Sequence, residues 1–246
     1  VIDPMRIYDD SSSLLANLLS KSNEPIEILA IGTLTNIAST IRARPTLKNK
    51  ISIITSMGGA IEVSGNLRVH GLTDTLKNAK AEWNFYIDPV AANIVVQSGI
   101  PIRLVPLDAT NKAPLTKDFL RRIHEAKASP LQGFVARTLD RVSSSTANGE
   151  YYHWDPLAAV VATDPSICDR DERRSLVVKK GLGADYGIKG GQPIEAFPIT
   201  GQSGRKRKAL SEINAGATVI SSSGSDVKIC FHADQAKYED IFINNF

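Results

Sequence analysis

The sequence predicts an α/β protein: a mostly parallel sheet flanked by helices. Three observations predict it. Short apolar runs at residues 26–31 (IEILAI), 51–55 (ISIIT) and 102–106 (IRLVP) each end in a turn rich in Gly, Thr or Asp. Segments with helical apolar spacing lie between them, and each has its own start and stop signals. Strands that alternate with helices call for a parallel sheet, because a parallel return needs a crossover long enough to hold a helix.

Taken in order, residues 12–19 (SSLLANLL) set apolar positions at helical spacing behind a serine-rich cap, and the stretch from Ser22 to Pro25 ends the helix. The strand 26–31 closes at Gly32, and Thr33-Leu34-Thr35-Asn36 opens a helix through 37–45 (IASTIRARP). The strand 51–55 runs into Met57-Gly58-Gly59. Residues 88–96 read as a helix stopped by Ser98-Gly99, and 102–106 runs into Leu107-Asp108-Ala109-Thr110. Helices are expected over 118–127, 131–142 and 154–163, the last with Pro156 in its first turn. Strands at 175–178 and 227–231 around Gly-rich turns, then a helix at 235–242, complete the pattern. In open parallel sheets ligands bind beyond the carboxyl ends of the strands, so the polar residues there are the first candidates for chemistry.

Composition bounds the function. With 246 residues, 42% of them hydrophobic and 22% charged, the chain suits one domain over 1–246 around a large core. The net charge of +3 comes from 29 basic and 26 acidic residues, too even a balance to imply a nucleic-acid partner. The cluster Arg205-Lys206-Arg207-Lys208 lacks interleaved aromatics and reads as a solvated loop. No apolar run approaches the roughly 18 residues of a membrane span. Cys168 and Cys230 are far apart and belong to no metal-binding spacing, so two free thiols are expected rather than a zinc site or a disulfide. The chain opens on Val1 without a signal-peptide pattern, and its native start is expected upstream. The compartment is left unassigned: cytoplasmic is favoured, and secretion stays open because the native N-terminus is expected upstream.

Four segments read together carry a resemblance: 29–38 (LAIGTLTNIA), 57–66 (MGGAIEVSGN), 81–101 (AEWNFYIDPVAANIVVQSGIP) with the following VPLDAT, and 151–159 (YYHWDPLAA). In order and wording the chain resembles the inosine-uridine preferring nucleoside hydrolase family. The resemblance implies a Rossmann-like fold and hydrolysis of the N-glycosidic bond of ribonucleosides by a calcium-activated water. The partner it implies is a small nucleoside, with homo-oligomers an open expectation. It places Met57, Asn66, Glu82, Trp83 and Asn84 on the substrate. It assigns Thr110, through its carbonyl, and Asp155 to the calcium. It puts Trp154, stacked on the base, at the leaving group; the neighbouring His153 is a second catalytic candidate, although it stands one residue off the family's register and reads as a loop histidine. The chemistry agrees, since an oxocarbenium-like sugar needs an activated water, a held ribose and help for the departing base. Calcium takes six to eight oxygen ligands.

The chain departs from the family pattern in three places. The family opens with D-x-D-x-x-x-D-D, whose carboxylates hold the calcium, and at least one further βαβ unit follows. Asp3, Asp9 and Asp10 echo that spacing, but Met5 stands where the second Asp belongs, so the echo is read as chance and the first βαβ unit as missing. Trp154 occupies the place of a His in many members. The stretch 67–80, with His70, is longer than usual and reads as a surface loop. Two functions from different classes follow: an N-ribohydrolase if the chain is part of a longer one, or a non-catalytic nucleoside- or sugar-binding protein of the same fold if it is whole. A dinucleotide-binding domain is set aside, because no G-x-G-x-x-G follows a strand.

Overall fold

In a computed structural model of the chain the described residues are 10–67, 78–126, 129–145, 151–180, 188–189, 192–193 and 214–245. Asp3, Met5 and Asp9, most of the 67–80 stretch with His70, and the basic cluster at 205–208 lie outside them. The strands are β1 (Ile26–Ala30), β2 (Ile51–Met57), β3 (Ile102–Val105), β4 (Arg170–Val178), β5 (Ile188–Lys189), β6 (Gln192–Pro193), β7 (Thr218–Ile220) and β8 (Ser225–His232). Six of them form one sheet in the order β1-β2-β3-β8-β4-β7, and β5 pairs with β6. From β1 to β8 the neighbours run parallel, whereas β4 is antiparallel to both β8 and β7. The sheet is mixed, with a four-stranded parallel part.

Alternation along the strands divides the core into two layers. Leu104 and Ile229 point to one face, where they meet Leu19 of α1 (Ser11–Lys21), Ile37 and Ile41 of α2 (Thr35–Ala43) and Val95 of α4 (Pro89–Val96). Val105 and Cys230 point to the other face, against Leu157 and Val161 of α8 (Trp154–Thr163) and Tyr238 of α9 (Gln235–Asn244). Two further helices, α6 (Lys117–Ala126) and α7 (Pro130–Ser145), pack through Phe119, Ile123 and Leu139 on Ile243 of α9. Local chemistry sets the helix starts. Asp10 caps α1 by accepting from the Ser13 amide at 2.9 Å, which gives this carboxylate a structural task. Asp88 caps α4 through the Ala91 amide at 2.9 Å, and Pro89 occupies the first helical position.

The structure corrects two expectations. The two cysteines are bonded to each other, with Cα atoms 5.5 Å apart, and are not free thiols. Chain folding brings together what 62 residues separate, and no spacing rule reports that. Strand β4 starts at Arg170, well before residue 175, because the run Arg170-Asp171-Glu172-Arg173-Arg174 pairs with β8 although it lacks apolar alternation. Cross-strand ion pairs support it, Lys228 with Asp171 at 2.6 Å and Arg173 with Asp226 at 2.5 Å.

Among the described residues, strand β1 forms one edge of the sheet. It leaves Leu29 at 41% and the adjoining Ile31 at 48% exposure, an apolar edge of the kind that pairs with other chains. Self-association is therefore expected to rise with concentration in light-scattering chromatography. Leu29→Lys with Ile31→Lys should return the protein to monomer. A parent chain that stays monomeric at every concentration would contradict this.

Candidate active site

Strand β2 ends on buried Met57, and the glycines that follow permit a close approach that no other residue could make. A Cβ on Gly58 would lie 2.5 Å from the Phe85 ring, and Gly59 has φ of +82°, a conformation that disfavours any side chain. This lets the Gly59 amide reach Glu82 Oε2 at 3.1 Å. The same carboxylate accepts from the amides of Asn84 (2.8 Å) and Phe85 (3.2 Å), capping the short helix α3 (Trp83–Ile87). Glu82 is 2% exposed. Burial pushes its pKa up to about 7, the three amides oppose the rise, and the charge of Asp155 adds to it.

Around this carboxylate the predicted substrate residues converge. The Asn84 amide group donates to the Met57 carbonyl at 3.2 Å and lies 3.4 Å from its sulfur. Asn66 accepts from the Trp83 amide at 2.8 Å, which fixes the far end of the glycine loop, and the Trp83 side chain is 37% exposed. Met57, Asn66, Glu82, Trp83 and Asn84 are thus held in one hydrogen-bonded group at the carboxyl end of β2.

Sequence reasoning missed the residue that holds this loop. Asp108, in the short helix α5 (Leu107–Thr110), is 5% exposed and accepts from two successive amides, Ile61 at 3.0 Å and Glu62 at 2.7 Å. The Leu107 amide donates to the Gly59 carbonyl at 2.9 Å. Outside, Arg170 grips Glu62 with two bonds of 2.7 and 2.8 Å and lies 4.5 Å over the Phe231 ring. Asp108→Ala strands two amides and is expected to cost about 1–3 kcal/mol in denaturant unfolding. Asp108→Asn, which keeps one acceptor, should cost less. Equal losses would refute the two-amide clamp.

The third component is the start of α8. Trp154 sits beside Tyr151 (ring centroids 5.0 Å) and Tyr152 (5.8 Å), and its Nε1 is buried without a hydrogen-bond partner among the described residues. Asp155 is half-buried, and burial raises its pKa. Its charge reaches both Glu82 and Tyr151, which puts it with the β2 group. His153 stands apart. Its ring meets Phe119 edge-on at 4.7 Å and lies 5.2 Å from Tyr238, with neither nitrogen bonded among the described residues. Burial lowers its pKa to about 4, so the imidazole is neutral near pH 7. Thr110 is fully buried, and its carbonyl accepts from the Ala113 amide at 3.1 Å.

Residues 6–240 match the family described as inosine-uridine preferring nucleoside hydrolase. The chain belongs to that family. It is 39% identical over 127 residues to pyrimidine-specific ribonucleoside hydrolase RihA of Citrobacter koseri, a stretch that covers 52% of this chain and 37% of the relative. The match to RihA of Escherichia coli O1:K1 / APEC has the same identity and coverage. Among solved structures, the inosine-uridine preferring nucleoside hydrolase of Bacillus anthracis superimposes with a TM-score of 0.72 at 21% identity, covering 96% of this chain and 65% of that one. A purine-preferring ribonucleoside hydrolase from Gardnerella vaginalis gives 0.66 at 20% identity, again over 96% and 65%. These likenesses show the fold. The chain spans about two thirds of the solved relatives, and the stretch matched to the RihA proteins is little more than a third of their length.

The calcium expected from the family can be tested against the residues present. No group of three or more His, Cys, Asp or Glu able to hold a metal occurs among the described residues. Asp155 supplies one carboxylate, the Thr110 carbonyl already accepts one bond, and both Asp108 oxygens are taken by amides. Six to eight oxygen ligands are not met. The described residues do not fit a calcium ion by themselves.

Proposed function

We propose that this chain carries the nucleoside-binding wall of an enzyme that hydrolyses the N-glycosidic bond of ribonucleosides to ribose and free base. The observation that carries the reading is the convergence of Met57, Asn66, Glu82 and Asn84 at the carboxyl end of β2, with Asp155 within electrostatic reach. Amide and carboxylate groups side by side supply the donors and acceptors that vicinal ribose hydroxyls need. The exposed Trp83 offers an apolar flank beside them. Glu82, with a pKa of about 7, can take or release a proton near neutral pH as a sugar hydroxyl approaches. The water-activating calcium of the family would draw on Asp155 and the Thr110 carbonyl, together with ligands that the described residues do not provide. A nucleoside-binding protein without turnover is the second reading, favoured by that incomplete ligand set.

Three measurements on the chain test these readings, and base release separates them. Inosine and uridine should each bind saturably and quench tryptophan fluorescence, and Asn84→Ala should weaken both by tenfold or more. No binding of either nucleoside at millimolar concentration would overturn the proposal. Calorimetry is expected to detect no tight stoichiometric calcium site, and chromatography of the reaction mixture little free base. Rapid base release with added calcium would instead establish a functioning hydrolase and send attention back to Asp3, Asp9 and Asp10.

A further inference from the structure

We propose that Cys168–Cys230 is a permanent structural cross-link, and that the protein works in an oxidising setting. They are the only two cysteines in the chain, so within it the pairing has no rival. Cys230 is fully buried and Cys168 is 9% exposed, both within the apolar layer formed by Val105, Leu157, Val161 and Tyr238. A thiolate that would open the bond must reach a sulfur in line, and this packing leaves it little access. Redox switches need the opposite arrangement, an exposed sulfur of low pKa. Cytosolic disulfides are uncommon and mostly transient, whereas buried structural ones belong to oxidising compartments.

The position of the bond gives it a task. Cys168 follows directly on the 3-10 turn Pro165–Ile167 by which the chain leaves α8, and Cys230 lies opposite Asp171 where the β4–β8 ladder begins. The Asp234 amide donates to the Ile167 carbonyl at 2.8 Å across the same junction. The cross-link therefore ties the exit of the helix that carries Asp155 to the central part of the sheet. It also closes β4, β7 and all the chain between them into one covalent ring, with a sequence separation of 62. Closing a ring of that size removes much of the freedom of the unfolded chain.

Formation balances with a low-molecular-weight disulfide such as oxidised glutathione as oxidant. One Cys thiolate attacks a glutathione sulfur and expels one glutathione thiolate, leaving a mixed disulfide. The second Cys thiolate then attacks the protein sulfur of that mixed disulfide and expels the other. Two protein thiols lose two protons and two electrons, and two molecules of reduced glutathione appear.

The test equilibrates the folded chain in glutathione buffers, followed by thiol trapping and tryptic mapping without reductant. The expected result is a linked pair of peptides, 142–170 with 229–237, present even with reduced glutathione in tenfold excess over oxidised. Reduction under denaturing conditions and refolding with the thiols free should lower Tm by on the order of 10 °C. Cys168→Ala with Cys230→Ala should melt near the reduced wild type, and the reduced wild type controls for the cavities that the substitutions leave. Two trappable thiols in oxidised glutathione would overturn the cross-link. A bond that opens readily in the tenfold excess, with Tm unchanged, would overturn its permanence and make it a switch.

Discussion

Glu82→Gln is expected to make the protein gain stability more steeply than the parent chain as pH rises from about 4.5 to 6.5. Two buried groups have opposite linkage in this range. Glu82 has a folded pKa of about 7 against 4.5 in the ordinary state. Between those values the native state keeps a proton that the unfolded state has released, so stability falls as pH rises through the window, by about 3 kcal/mol in all. His153 has a folded pKa of about 4 against 6.5. There the unfolded state holds the extra proton, so stability rises with pH, again by about 3 kcal/mol. The windows overlap almost entirely, so the two contributions oppose each other.

Removing either group exposes the other. Glu82→Gln leaves the rise due to His153. His153→Phe suits the aromatic surroundings of Phe119 and Tyr238, and leaves the fall due to Glu82. Glu82→Gln also sets an amide NH2 against backbone N–H donors, a penalty of about 1–3 kcal/mol that does not vary with pH. The diagnostic is therefore the slope and not the offset. Denaturant unfolding at intervals from pH 4 to 7.5 measures it. A Glu82→Gln profile parallel to that of the parent would show that Glu82 does not titrate in this range.

What the sequence could announce and what it could not follow a physical divide. Periodicity located β1, β2, β3 and β8 because each is an apolar run bounded by turn residues, and the parallel part of the sheet follows from the helices between them. The polar start of β4 was invisible, since Arg170 to Arg174 has strand partners but no apolar face to advertise them. In the candidate site, the family resemblance picked out Asn66, Glu82 and Asn84, and the structure adds why they stand together: Glu82 ties Gly59 to α3. Asp108 left no signal because its partners are backbone amides, which every residue has. Burial of His153 is equally silent in the sequence, for its cage is assembled from α6 and α9, remote in the chain.

Trp154→Ala is the substitution with the largest expected cost to folding. The indole lies beside Tyr151 and Tyr152 and packs against the layer that contains Leu157 and Val161. Truncation leaves a cavity and removes two aromatic pairings, for a loss of about 3 kcal/mol in unfolding free energy. If the indole also stacks on a bound base, purines should suffer more than pyrimidines, because a larger π-face gains more from stacking, which is worth roughly 1–3 kcal/mol per base. Geometry favours packing as the main role, since Nε1 is buried and two neighbouring rings already cover part of the indole. The expected result is a lowered melting temperature with inosine and uridine binding weakened alike. Trp154→Phe, which restores an aromatic of smaller volume, should recover most of the stability. An inosine-to-uridine affinity ratio that drops tenfold or more in Trp154→Ala, at a temperature where the variant is fully folded, would assign the indole to the base instead.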